Sequence, residues 1–326
     1  MKFLLTGTTG FLGSHLCMHL LSAGHQVVGM KRNNSSLALF HSVKEHYLNG
    51  SADGLKEKFG LTSVSLNKEK LELGLEQNFT WVEADMLDTD SLLDVMNEQF
   101  DAVFHCAAMV SFRKSDDQKM LENNIVGTAN MVNTCLKTNN LTLIHVSSVA
   151  ALSRSENSDN IHIDSEWIES PYNTTYAKSK YYSELEVWRG KEEGLKIGII
   201  NPGIIMGVGH GHTPQQQFIN IIKSGNPFVP AGSNGFIWVD DLCQQIIDIH
   251  QNNNYGKRIL GVTNNLSYET FFHTIADFIS KKRPTWLIAG LTYKILYAIT
   301  WLTDTFRIPF PISNDLVVST SRKSVY

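Results

Sequence analysis

Tyr176-Ala177-Lys178-Ser179-Lys180 sets a phenol and an ammonium one helical turn apart, on one face of a helix. A tyrosine hydroxyl ordinarily titrates near ~10, too high to exchange protons readily at neutral pH. A neighbouring ammonium, together with the positive nicotinamide of an oxidised cofactor, is expected to lower that value into a useful range. Ser148 closes a β-branched run and can hydrogen-bond the same substrate oxygen that Tyr176 protonates. Tyr-x-x-x-Lys alone is common on surface helices. Its weight here comes from its place after a strand-end serine and, further upstream, a glycine-rich turn.

That turn is Thr6-Gly7-Thr8-Thr9-Gly10-Phe11-Leu12-Gly13, directly after an apolar run and opening a helical pattern. Gly7, Gly10 and Gly13 permit a tight turn, close approach of backbone to a pyrophosphate, and close helix–strand packing. The helix start, with Thr9, Phe11 and Leu12, offers backbone N–H groups and partial positive charge to phosphates. The second apolar run ends Val27-Val28-Gly29-Met30-Lys31-Arg32. An NAD-preferring enzyme places a carboxylate there for the ribose 2′-hydroxyl. Lys31 and Arg32 instead attract a 2′-phosphate, so NADP (as NADPH) is the expected cofactor. Asp85, with Met86 beside it, is placed to accept from the adenine amino group, and Asp88 to cap the next helix. Cys106-Ala107-Ala108 offers small side chains where backbone must pass close to the cofactor.

Elements of the right kind lie around these residues. Strands are expected over Lys2–Thr6, Gln26–Lys31, Thr80–Glu83, Ala102–His105, Thr142–Ser147 and Lys196–Asn201. Helices are expected near Gly13–Ser22, Thr89–Gln99, Met120–Lys137 and Tyr176–Glu193. Strands joined through helices imply right-handed crossovers and a doubly wound α/β fold with a parallel sheet. Residues 1–206 are read as the nucleotide-binding domain, with an insertion over 33–78 carrying one or two surface helices. Residues 207–326 are read as a smaller substrate-binding lobe over the carboxyl edge of the sheet, with room to share late elements with it.

The net charge of −4 supplies no basic field, which argues against non-specific nucleic-acid binding. Cys17, Cys106, Cys135 and Cys243 are scattered without a Cys-x-x-Cys pair, so a reducing compartment and no structural metal are expected. The first apolar run breaks at Thr6 and reads as a strand, not a signal peptide; a cytoplasmic location is expected. Residues 286–302 are apolar but interrupted by Gly290 and Lys294, and fall short of the ~20 residues of a spanning helix. A buried helix beside the substrate pocket is the main expectation for them, with peripheral membrane contact as the minor one.

Taken together, the chain resembles the extended short-chain dehydrogenase/reductases, the NAD(P)-dependent epimerase/dehydratase family. The resemblance rests on Gly7, Gly10 and Gly13; Asp85; His105 to Ala108; Asn124-Ile125-Val126-Gly127-Thr128; Ser147-Ser148; Tyr176 with Lys180; Asn201-Pro202-Gly203; and Val239-Asp240-Asp241. It runs from residue 1 to about residue 282. Arg32 and Asn201 to Gly207 are most similar to the dihydroflavonol-reductase-like branch. The resemblance implies a Rossmann fold, Ser148, Tyr176 and Lys180 as the catalytic trio, and Asn124, Tyr176, Lys180, Asn201, Pro202 and Gly203 at the cofactor, with Lys180 holding the nicotinamide ribose. It also implies a homodimer through helices like 120–137 and 176–193.

Departures from the family's patterns select among reactions. Val149-Ala150 follow Ser148 where nucleotide-sugar dehydratases carry Asp-Glu, which speaks against dehydration. Asn234-Gly235 stand where epimerases usually carry Arg-Asp, which removes a charge that a sugar nucleotide would want. The expected pocket joins Ser148 to apolar Val110, Phe112, Ile204, Met206, Phe218 and Trp238, and suits a small aliphatic or aromatic carbonyl substrate. Reduction of a ketone or related carbonyl is the main reading. A cofactor-retaining epimerase, an acyl-thioester reductase and a non-catalytic NADP-binding scaffold are the alternatives. Family members commonly continue with a further helix after a stretch like Ser321 to Tyr326.

Overall fold

Phe3 and Leu5 pack on one side of the first strand and Leu4 on the other, and all three are buried. A strand apolar on both faces needs helices on both, as in a parallel sheet. The computed structural model describes all residues except 51–53, 63, 139–140, 153–158, 171–172, 210–213 and 306–312. Along the chain it forms β1 (Lys2–Thr6), α1 (Phe11–Ser22), β2 (Gln26–Lys31), α2 (Ala38–Leu48), α3 (Gly54–Lys58), α4 (Lys68–Gln77) and β3 (Phe79–Glu83). Next come α5 (Thr89–Val95), β4 (Ala102–His105), α6 (Asp117–Leu121), α7 (Gly127–Leu136), β5 (Thr142–Val146), α8 (Thr175–Glu192) and β6 (Lys196–Pro202). The remainder comprises β7 (Ile204–Met206), α9 (Pro214–Lys223), β8 (Phe228–Pro230), β9 (Ser233–Trp238), α10 (Val239–Gln251), β10 (Arg258–Gly261) and β11 (Asn264–Ser267). It ends with α11 (Tyr268–Phe278), β12 (Trp286–Ile288), α12 (Gly290–Thr305) and α13 (Asn314–Ser321).

Seven strands make a parallel sheet in the order β10-β6-β5-β4-β1-β2-β3. The chain winds outward from β1 to β3 and then returns to β4 on the other side of β1. The carboxyl ends of β1 and β4 therefore flank a crevice, the place where such sheets bind ligands. The helices cover one face of the sheet with Leu16, Leu20, Phe40, Leu242 and Ile246, and the other with Leu92, Met131, Val132 and Val187.

Four of the expectations for the fold need revising. The seventh strand, β10, is not among those expected; it comes from the late part of the chain and pairs with β6. The single helix expected over 120–137 is interrupted by a π-helical turn, Glu122–Val126, between α6 and α7. Asn124 sits in that turn, buried, and its amide grips Met109 through N–H and C=O at 2.7 and 2.9 Å.

The 33–78 insertion is the third. Its described residues form three helices rather than one or two, and they pack into the body rather than decorating it. Phe40, Val43, Tyr47, Leu55 and Leu71 are buried. The Tyr47 hydroxyl donates to Asp240 at 2.6 Å, His19 shares that carboxylate at 2.9 Å, and buried Lys56 donates to Asp241 at 2.9 Å. Burial alone would raise the Asp240 carboxyl, but the bonds from His19 and Tyr47 hold it at about 2. Of the polar groups in this segment, Tyr47 and Lys56 have partners on α10.

The 286–302 segment also departs from expectation. Leu291 is 72% exposed, and Thr300 is the buried residue of α12. No described helix is long and apolar enough to cross a membrane.

Candidate active site

The turn after β1 is fixed by its glycines. Gly7 has φ +70°, and a Cβ there would lie 2.7 Å from the backbone nitrogen of Ala107. A Cβ on Gly13 would lie 2.1 Å from the carbonyl oxygen of Gly7. These two positions lock turn, helix and the segment after β4 together. Ala107 N–H donates to Thr6 Oγ1 at 3.2 Å, and Thr6 also meets His105 Nδ1 at 2.8 Å. Burial and the nearby Lys180 charge hold His105 down to about 3, so it is neutral.

Gly10 differs: a Cβ there would meet only the Gly7 carbonyl oxygen, at 3.1 Å, with open space otherwise. It begins α1 with no side-chain cap and no acid in the first turn. Gly7, Gly10, Phe11, Leu12 and Gly13 line a cavity of about 1800 Å³. An uncapped helix start beside a cradle without side chains fits the phosphates of a dinucleotide.

Ser148, Tyr176 and Lys180 line the same cavity. Ser148 caps a 3₁₀ turn, its hydroxyl accepting from Ala150 N–H at 3.1 Å. Tyr176 stands in the first turn of α8, which Thr174 caps by accepting from Ala177 N–H at 3.1 Å. Burial pushes the Tyr176 phenol above its ordinary range, and a hydrogen bond with Ser148 pulls it back. The expected lowering by Lys180 is not found. The Lys180 ammonium is turned to the Val146 carbonyl oxygen, at 2.8 Å, and burial lowers it to about 8 against the opposing pull of Glu184.

That depression makes a prediction. Between about 8 and the ordinary 10.5 the folded chain holds fewer protons at Lys180 than the unfolded chain, so this group makes stability rise with pH. Lys180→Met should lack that rise in nucleotide-free thermal melts across the same window. A constant offset between the two proteins would show that Lys180 keeps its proton.

Of the other expected residues, Val110, Phe112, Ile204, Phe218, Cys106, Ala108, Pro202 and Gly203 line the cavity. Phe112 lies 6.1 Å from the Tyr176 ring, centroid to centroid. Met206 and Trp238 do not line it: both are fully buried in the core under β9 and α11. Ile204 and Met206 alternate onto the same face of β7, as Asn234 and Trp238 do on β9, and the cavity reaches only the first of each pair. Asn124 and Asn201 are also away from its wall, and their side chains hold backbone instead; Asn201 Nδ2 donates to the Ser148 carbonyl oxygen at 3.0 Å. Thr9, Ala107, Asp85, Met86, Lys31 and Arg32 lie outside the wall as well. Asp85 accepts from Leu87 N–H at 3.0 Å, and Asp88 caps α5 as expected. Lys31 is held by Glu83 at 2.5 Å, which leaves Arg32, exposed at the strand end, as the less committed cation.

A profile of the NAD dependent epimerase/dehydratase family matches residues 3–261. The chain belongs to this family. The family is of the extended short-chain dehydrogenase/reductase type. Among curated proteins it is 28% identical over 210 residues to sterol demethylase protein B of Methylococcus capsulatus, covering 64% of this chain and 52% of that one. It is 28% identical over 226 residues to cinnamoyl-CoA reductase 1 of Petunia hybrida, covering 67% and 59%. The chain thus spans little more than half the length of these relatives. The crystal structure of gox2253 superposes with a TM-score of 0.70 at 22% identity, covering 98% of this chain and 88% of that one. UDP-glucose 4-epimerase from Thermotoga maritima gives 0.67 at 16% identity, covering 100% and 89%. At such identities these structures establish the shared fold.

Glu184, not among the residues expected from the sequence, lies behind the cavity wall and holds Ser147, which lines it. It follows Lys180 by one turn on α8 and is fully buried. It accepts from Ser147 Oγ at 2.6 Å, Asn201 Nδ2 at 2.9 Å and Trp188 Nε1 at 3.1 Å, and it pairs with Arg258. Asp315 is likewise not among the expected residues: it accepts from Thr175 N–H at 3.0 Å, tying α13 to the start of the helix that carries Tyr176. The signal for Glu184 is its spacing from Tyr176 and Lys180; Asp315 leaves none, being 140 residues away.

Proposed function

We propose that the protein reduces a ketone or related carbonyl on an apolar small molecule, with NADPH as cofactor and Tyr176 as proton donor. The observation that carries this reading is the meeting of Ser148, Tyr176 and Lys180 with the uncapped start of α1 in one cavity. NADPH, when bound, supplies the hydride. Ser148 and Tyr176 hydroxyls donate to the substrate oxygen and stabilise the charge that develops there. Tyr176 delivers its proton to that oxygen. Lys180, held by the Val146 carbonyl, lines the same cavity and would hold the nicotinamide ribose of a bound cofactor. Val110, Phe112, Ile204 and Phe218 give the substrate an apolar wall.

Names of several relatives support reduction: besides cinnamoyl-CoA reductase 1, tetraketide alpha-pyrone reductase 2 of Arabidopsis thaliana is 25% identical over 261 residues, whereas UDP-glucose 4-epimerase of Caenorhabditis elegans, 28% identical over 142 residues, stands for the alternative. Asn234, where sugar-nucleotide epimerases usually carry a charged pair, lines the cavity uncharged and donates to Tyr268 Oη at 3.3 Å. That weighs against a sugar-nucleotide substrate. Dimerisation through α7 and α8 is part of the proposal, supported by exposed Tyr182 and Leu185 on α8.

Cofactor choice is tested at Arg32. Arg32→Ala should weaken NADPH binding by roughly tenfold, about 1.4 kcal/mol, and leave NADH binding unchanged. Quenching of tryptophan fluorescence reads both. Equal losses for the two nucleotides would remove Arg32 as the 2′-phosphate ligand. NADPH consumption with a panel of ketones, aldehydes and acyl thioesters then tests the reaction itself.

A further inference from the structure

α12 leaves a row of apolar residues on its outer side, while Thr300 and Asp304 turn toward α13. Thr300 is fully buried and receives a hydrogen bond from Asn314 of α13 at 3.1 Å, while Asp304 accepts from the Asn314 N–H at 2.8 Å. Leu291, Ile295, Ile299 and Leu302, spaced by one turn each, form an exposed stripe with Trp301 at its edge. Surface helices of soluble proteins are ordinarily arranged the other way round. The exposure continues into β12 and β8: Trp286 is 64% exposed and its ring meets exposed Phe228 at 5.6 Å.

Charge decides what this face suits. Lys281, Lys282 and Arg283 precede β12 and are exposed; Arg283 is paired with Asp277 at 2.7 Å. Lys294 is the charged residue among the exposed positions of α12, and the helix's acid, Asp304, is engaged with α13. An apolar stripe flanked by tryptophans and carrying positive charge complements an anionic lipid surface. A second copy would bring like charge against like charge. No described helix can span a bilayer, so the element would lie in its surface.

We propose that the face from Trp286 to Leu302, with Lys281 and Lys282, docks this protein on a bilayer that contains anionic phospholipid. The same helix contributes Thr303, Asp304 and Thr305 to the wall of the catalytic cavity, so docking brings that wall to the lipid surface. The inference does not depend on the reaction proposed above, and its test reads binding rather than turnover.

The full chain is sedimented with vesicles of phosphatidylcholine alone and of phosphatidylcholine mixed with phosphatidylserine. Binding is expected to the mixed vesicles, weakening as salt is raised. Lys281→Ala with Lys282→Ala should bind them roughly thirtyfold more weakly, which is about 2 kcal/mol. Leu291→Ser with Leu302→Ser should lose binding while retaining NADPH affinity, which checks folding. Absence of binding to either vesicle overturns the proposal, as does equal binding to both with the lysine variant unchanged. A dimer in sedimentation equilibrium that the leucine variant dissociates, without vesicle binding by the unaltered protein, assigns the face to a second copy instead.

Discussion

Tyr176→Phe is expected to lower turnover by about two to four orders of magnitude, the usual contribution of a positioned proton donor. NADPH affinity should stay near that of the unaltered protein. The substitution removes one hydroxyl, which bonds with Ser148, and keeps the ring that packs near Phe112. The glycine turn and the start of α1 are untouched by it, so nucleotide binding has no reason to change. Burial raises the phenol, so the proton to be delivered is in place at neutral pH, while the hydrogen bond with Ser148 pulls in the direction that eases its release. Single-turnover rates and fluorescence titration of the same preparation separate the two effects. Turnover that survives the change would move the proton donor elsewhere, and loss of NADPH binding would make Tyr176 a cofactor ligand first.

How much of this is legible in the sequence follows from what each signal encodes. Lys2–Thr6, Gln26–Lys31 and Ala102–His105 can be read to the residue because strands buried on both faces are continuous apolar runs between polar turns. Arg258–Gly261, as long as Ala102–His105, mixes an arginine and a glycine with two apolar residues and does not stand out, and only pairing with β6 makes it a strand. The trio and the glycine turn are legible because their chemistry demands fixed residue types at fixed local spacing. Met206 and Trp238 mislead because composition says that a side chain is apolar, not how far along its strand the cavity extends. α12 misleads for a related reason. Hydropathy predicts burial, whereas contacts with α13 fix which side of the helix turns inward.

Glu184→Ala is expected to cost about 3–5 kcal/mol, the range for removing one partner of a buried ion pair. The melting temperature should fall by roughly 10 °C. The loss is large because Arg258, mostly buried, keeps its charge and loses its carboxylate, while Ser147 and Asn201 lose their shared acceptor. Glu184→Met with Arg258→Met should recover much of that stability, because it removes both charges together. Activity should not recover with it. Glu184 touches neither cofactor nor substrate; it acts as a positioning residue through Ser147, beside Ser148, and through Asn201, which holds the Ser148 carbonyl. It also supports the Lys180 ammonium, so without it Lys180 should fall further below about 8. The pH profile of kcat/KM is the readout that separates these roles. A purely structural glutamate predicts an unchanged profile in the restabilised double variant, whereas a positioning role predicts a shift to lower pH and a reduced plateau.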